Sequence, residues 1–165
     1  MKPVSKKELE VKGVVSRHTQ QTLEQAEQKC RAKGVQLTKK RKLVLSGLLE
    51  TEKAMSAYEL VEYCKQELGQ EIPAMTVYRI LEFLEQEHLA HRLNLVNKYV
   101  ACCQISSDHS HEDSQFFICG KCDRVIEVTL DKSTKESLRQ DTQKAGFQIV
   151  EPQLEINGVC TNCDH

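Results

Sequence analysis

Apolar positions recur at helical spacing through the first half of the chain and alternate in the second. From Thr19 to Lys33 the pattern is polar and helix-prone, and it stops at Gly34. Thr38 reads as the N-cap of a helix over about 38–51, with Leu45, Leu48 and Leu49 on one face. Ser56 followed by Glu59 has the form of a capping box, which predicts a third helix with the stripe Leu60, Val61, Cys64 and Leu68, ended by Gly69. After Pro73, the positions Val77, Ile80, Leu81 and Leu84 fall at i, i+3, i+4 and i+7, the buried stripe of a fourth helix beginning near Met75. The period then changes. Leu89, His91 and Leu93, then Lys98-Tyr99-Val100-Ala101, separated by Asn94 and Asn97, predict a two-stranded hairpin over 89–101.

Helices followed by a small hairpin are the parts of a winged helix-turn-helix, read here as residues 19–102. Residues 1–18 lack a stable period and read as a flexible tail. The polar, histidine-bearing stretch 103–114 reads as a linker. Beyond it, Phe116-Phe117-Ile118 and Val125-Ile126-Glu127-Val128 look like strands, 132–145 looks helical, and Phe147 to Ile156 alternates as a third strand despite Pro152. The expected fold class is α+β: an N-terminal winged helix-turn-helix, then a small α+β dimerisation domain over 115–165 whose uncovered sheet edge is the seam between two copies.

Charge sharpens this division. The net charge of −1 hides an asymmetry: residues 1–101 hold 17 Lys/Arg against 13 Asp/Glu, and residues 102–165 hold 6 against 11. Between Lys29 and Lys42 there are seven basic residues and no acid. Such a split suits a first half that meets a polyanion. Nothing in the 165 residues resembles a membrane span or a secretory leader, so a cytoplasmic location is expected and no membrane partner. Eight cysteines in a reducing compartment serve metals more often than disulfides.

Six of those cysteines sit in the second half or at its border. Cys119/Cys122 and Cys160/Cys163 are two Cys-x-x-Cys pairs with 37 residues between them. Each pair puts two thiolates on one tight turn, and together they make the four soft ligands of a tetrahedral, structural zinc site. Cys30 and Cys64 have no partner at useful spacing and read as core or surface thiols.

Double-stranded DNA is the expected polyanion. On the fourth helix, the face opposite the apolar stripe carries Thr76, Tyr78 and Arg79, while its C-terminal half carries Glu82, Glu85 and Glu87. Only the N-terminal end can enter a groove without repulsion from phosphates, as recognition helices do. Arg79 can pair with guanine O6/N7, and Tyr58, at the start of the preceding helix, can reach a phosphate or a thymine methyl.

Leu37-Thr38-Lys39-Lys40-Arg41, Ser56-Ala57-Tyr58-Glu59-Leu60, Thr76-Val77-Tyr78-Arg79 and both Cys-x-x-Cys pairs occur in the order seen in the ferric uptake regulator family. The resemblance covers roughly residues 20–163 and looks closest to the zinc uptake regulator branch. It implies a homodimer with an N-terminal DNA-binding domain and a metal-loaded form that binds a palindromic operator. It places Tyr58 and Arg79 at positions that contact bases in this branch; Thr76, Tyr78 and, from the basic stretch, Lys39, Lys40 and Arg41 complete the expected DNA contacts. Lys39 departs from the proline usual after Leu-Thr, a change the first turn of a helix tolerates. The resemblance also implies a regulatory zinc site of His91, Cys102, Glu127 and a linker histidine, His111, with His109 as the alternative or part of a weaker third site. Two zinc ions per chain are therefore expected, and a third is open.

The function expected is a zinc-responsive repressor of zinc-uptake genes, with no small-molecule substrate. An iron- or peroxide-responsive member of the same family, or a thiol-redox switch, stands as the alternative. A thiolate at Cys102 favours zinc, because ferrous sensors tend to use imidazole and carboxylate. An enzyme is disfavoured: zinc deaminases pair His-x-Glu with Pro-Cys-x-x-Cys, and neither cysteine pair here follows a proline.

Overall fold

The structure, a computed structural model, describes residues 15–51, 53–107, 114–150 and 153–164. The chain divides into two compact units, Met1–Ser107 and Asp108–His165.

The first unit is built on four helices and a hairpin. Helix α1 (Arg17–Ala32) begins at a Ser16 cap, whose Oγ accepts from the Thr19 amide at 3.2 Å. The helix therefore starts two residues before the expected Thr19, and Arg17 and His18 are helical rather than part of a tail. Helix α2 (Lys39–Glu50) is capped by Thr38, as its sequence predicts. Helix α3 (Ala57–Gln66) opens with both bonds of the capping box: the Ser56 amide donates to Glu59 Oε2 at 2.6 Å, and the Glu59 amide donates to Ser56 Oγ at 3.2 Å. Helix α4 (Ala74–Gln86) starts after Pro73 with no side-chain cap and no acid in its first turn. Its buried residues are the stripe expected: Val77, Ile80, Leu81 and Leu84.

Strands β1 (Ala90–Leu93) and β2 (Lys98–Ala101) pair antiparallel, His91 opposite Val100, and form the wing. Asn97 takes φ 51°, a left-handed turn position that asparagine tolerates. The alternation did not show a third contributor. Met55, between α2 and α3, exchanges both backbone bonds with Tyr99 (2.9 and 2.8 Å), tying the helical layer to the wing. At Gly47 a Cβ would lie 3.1 Å from Leu60 Cδ2 and Tyr63 Cδ1, so glycine sets how closely α2 approaches α3. Leu45, Leu48, Leu60, Leu81, Leu84 and Leu89 are among the fully buried side chains. At roughly 1.5–3 kcal/mol each, they give this unit a core of its own.

Residues 103–107, expected in the linker, are turns that belong to the first unit. Ile105 is buried, and the Ser107 carbonyl accepts from Lys29 Nζ at 2.7 Å. Ser114, the linker's expected last residue, is the first residue of a strand. Residues 108–113, with His109 and His111, lie outside the described residues, as do 1–14 of the expected tail.

The second unit is a three-stranded sheet in the order β4-β3-β5: β3 (Ser114–Cys119), β4 (Val125–Thr129) and β5 (Leu154–Gly158). Strand β3 runs antiparallel to β4 and parallel to β5, the latter connection carrying helix α5 (Lys132–Lys144). The third strand lies further along than the alternation predicts. Gly146 (φ 79°) follows the end of α5, Phe147 to Val150 form no strand, and pairing begins at Leu154. Among the described residues of this unit only Ser114, Phe116, Ile118 and Cys119 are buried, and α5 buries none. Phe117, Ile126 and Ile156, which are neighbours across the three strands, are exposed together.

Candidate metal centre and nucleic-acid interface

The four cysteines of the paired motifs converge because of the sheet register. Parallel pairing sets Gly158 beside Cys119, so Cys160, two residues on, reaches Cys119 across the strand ends. Each pair then closes a knuckle: the Asp123 amide donates to the Cys119 carbonyl at 3.0 Å, and the Cys163 amide to the Cys160 carbonyl at 2.8 Å. All four Sγ atoms lie within 4.8 Å of one another, and Cys122 and Cys160 are 3.7 Å apart. A tetrahedral zinc with bonds of about 2.3 Å requires sulfur–sulfur edges of about 3.8 Å. The donor set and its spacing fit zinc.

Electrostatics point the same way. Amide donors, first from Cys160 and then from Lys121 and Cys122, hold the Cys119 thiol down to about 6, so it is largely thiolate at neutral pH. The neighbouring Cys160 and Cys122 sulfurs push Cys163 up to about 12. Four such groups cannot all ionise side by side without a cation among them. Lys121 adds positive charge nearby, its Nζ donating to the Cys163 carbonyl at 2.8 Å. Gly120 matters for space: a Cβ there would meet Asn157 Oδ1 at 3.3 Å. Sequence reasoning singled out neither Gly120 nor Lys121, although both fill the variable positions of the first pair.

In the first unit, His91 on β1 and Cys102 just after β2 are both buried, and their ligand atoms lie within 4.8 Å of each other. The hairpin brings them together, since Ala90 pairs with Ala101, and the Cys102 amide donates to the Leu89 carbonyl at 3.0 Å. The adjacent Cys103 is exposed. In the second unit, Glu127 on β4 is half-buried and accepts from Ser114 Oγ at 2.8 Å. Cys30 and Cys64 are buried core thiols, and burial pushes Cys64 up to about 11, which makes it inert as a ligand.

On the helical face, Tyr58 is 68% exposed and its ring meets that of Tyr78 edge-on, centroids 6.3 Å apart. Arg79, Lys39 and Lys40 are exposed, and Thr76 is half-buried. Arg41 is differently placed. Its guanidinium stacks 3.6 Å over Phe83 and donates to the Gln36 carbonyl at 2.6 Å, so it braces α2 against α4. Among the described residues no helix is long and apolar enough to cross a membrane.

Comparison with known proteins gives a consistent result. The zinc uptake regulation protein of Escherichia coli is 32% identical over 145 residues, covering 88% of this chain and 82% of that protein. The ferric uptake regulation protein of Synechocystis sp. is 31% identical over 140 residues, covering 78% of this chain and 77% of that one. A solved zinc uptake regulator complexed with zinc and DNA superposes with a TM-score of 0.75 at 31% identity, covering 90% of this chain and 96% of that chain. The sequence pattern described as the ferric uptake regulator family matches residues 32–157, most of the chain, and the protein belongs to that family.

Proposed function

We propose that the chain is a zinc-responsive transcriptional repressor that binds a palindromic DNA operator as a zinc-loaded homodimer and silences zinc-uptake genes. What carries this reading is the buried pair His91 and Cys102 at the base of the wing, imidazole beside thiol. A thiolate in the sensing set selects zinc over ferrous iron. The similarity to a zinc uptake regulator complexed with zinc and DNA supports it.

Two zinc ions per chain serve two purposes. Cys119, Cys122, Cys160 and Cys163 would hold a structural ion. His91, Cys102, Glu127 and a linker histidine, His111 or alternatively His109, would hold the regulatory one. Zinc bound by such a set supplies a four-coordinate cross-link between its ligands. Because these ligands come from both units, the loaded chain has fewer conformations from which to choose. Two recognition helices must reach half-sites on one DNA face, about 34–36 Å apart per turn. By linkage, DNA must tighten zinc binding as much as zinc tightens DNA binding. Tyr58, Thr76, Tyr78 and Arg79 would contact the groove, with Lys39 and Lys40 on the phosphates, while Arg41, held by Phe83 and the Gln36 carbonyl, would brace the helices that carry them. The exposed row Phe117, Ile126 and Ile156 supports self-association of the second unit.

A mobility-shift titration of operator DNA against buffered free zinc, with iron(II) and manganese(II) as comparators, tests the proposal. Zinc should be the effective ion. Cys102→Ser should stay a folded dimer yet lose the zinc dependence. Undiminished operator binding by protein stripped of the regulatory ion, with its cysteine cage still loaded, would end the proposal.

A further inference from the structure

Helix α4 carries one exposed apolar residue that neither the core nor the expected contacts explain. Met75 lies in its first turn and is 66% exposed. It precedes Tyr78 by three residues and Arg79 by four, so the three share one face, opposite Val77, Ile80, Leu81 and Leu84. Side chains on a helix tilt toward its N-terminus, so the Met75 thioether is the leading group of that face. The ring pair of Tyr58 and Tyr78 stands one turn behind it, edge-on at 85°. The first turn holds no acid, and the exposed glutamates Glu82 and Glu85 come later.

We propose that Met75 is a specificity-determining residue that reads the 5-methyl group of a thymine in the major groove. The inference rests on the repressor reading above. An apolar side chain has nothing to offer a phosphate, and at the leading end of a groove-entering helix its available partner is the one apolar group on the base edges. Methionine suits this, because its unbranched and polarizable side chain adapts to a contact surface. Met75 and Arg79 are about one helical turn apart on the same face, so the thymine lies in the same half-site as the guanine read by Arg79.

The test uses the full-length, zinc-loaded dimer and duplexes selected from a random pool for binding to it. In the selected site, each thymine is replaced singly by deoxyuridine, which removes only the methyl group, and affinity is measured at fixed salt. One thymine per half-site should show a loss of about fourfold, the equivalent of one methyl group removed from water. In Met75→Ala that penalty should vanish at that thymine while other positions respond as before, and Met75→Leu should keep it. Circular dichroism of each variant confirms the fold, which this exposed position does not support. If Met75→Ala retains the penalty, or if no thymine is sensitive to demethylation, Met75 has no reading role. If the folded, zinc-loaded protein selects no sequence at all, the repressor reading itself fails instead.

Discussion

Arg79 and Lys40 are both exposed cations on the first unit, yet their positions predict different roles. Arg79 stands on the open face of α4 behind Met75, where a planar guanidinium can pair with guanine. Lys40 stands in the first turn of α2 as a compact point charge. Arg79→Ala should cost about 1–3 kcal/mol against the selected operator and relax base preference at one position per half-site. Lys40→Ala should weaken all duplexes about equally and reduce the salt slope by about one. Both are read from affinity on matched and mismatched duplexes at several salt concentrations; unchanged discrimination in Arg79→Ala would remove it from base reading. At this scale the sequence was legible where chemistry depends on short spacing. The Cys-x-x-Cys pairs declare themselves because two ligands on one turn need two intervening residues. His91, Cys102 and Glu127 have no such spacing, because separate parts of the fold supply them, and only family resemblance named them. Arg41 was legible as a charge but not as a brace, since its partner Phe83 is 42 positions away.

Elements were easier to read than residues wherever a cap and a stripe coincided. Thr38, Ser56 and the α4 stripe set their helices at nearly the right residues, because capping and amphipathicity are both local. Strand β5 was misplaced because alternation alone does not say which residues find a ladder partner. Met55 was missed because a single bridged residue leaves no period. The contact between α1 and α2 carries a pH-dependent ion pair, Glu27 to Lys42 at 2.7 Å. The Lys42 hydrogen bond, aided by its charge, holds the Glu27 carboxyl below the usual range. A depressed folded-state value means that this stability is present above the unfolded value, near 4.3, and is lost as pH falls through the folded one. Glu27→Gln should therefore cost about 0.5–1 kcal/mol near neutrality. The gap to the parent protein should close as pH drops below about 4. Urea denaturation of both proteins between neutral and acid pH measures it, and a gap that stays constant would refute the assignment.

For the whole molecule, the contrast between the two units matters most. The first has a leucine-rich core of its own, whereas the second buries only four of its described residues and its helix buries none. The shift from a basic to an acidic half divided the chain by partner and not by packing, and thinness of a core is a tertiary quantity that periodicity does not report. Chelation of the cysteine cage should lower the melting transition of the second unit and leave that of the first nearly unmoved. Cys119→Ser should cost that unit about 4 kcal/mol or more, the range in which loss of a metal site falls. Scanning calorimetry with and without chelator distinguishes this from a single cooperative melt, in which both units would shift together.

Helix α5, with no side chain buried, carries a consequence beyond melting. A unit with so thin a core opens readily, and proteases cut the opened chain, so an ion held by its cysteine cage would also protect it. Newly made chains in a metal-starved cell would then be short-lived, and the pool of regulator would shrink just when its targets must be expressed. Supply of the ion would govern how many copies exist as well as what each copy does.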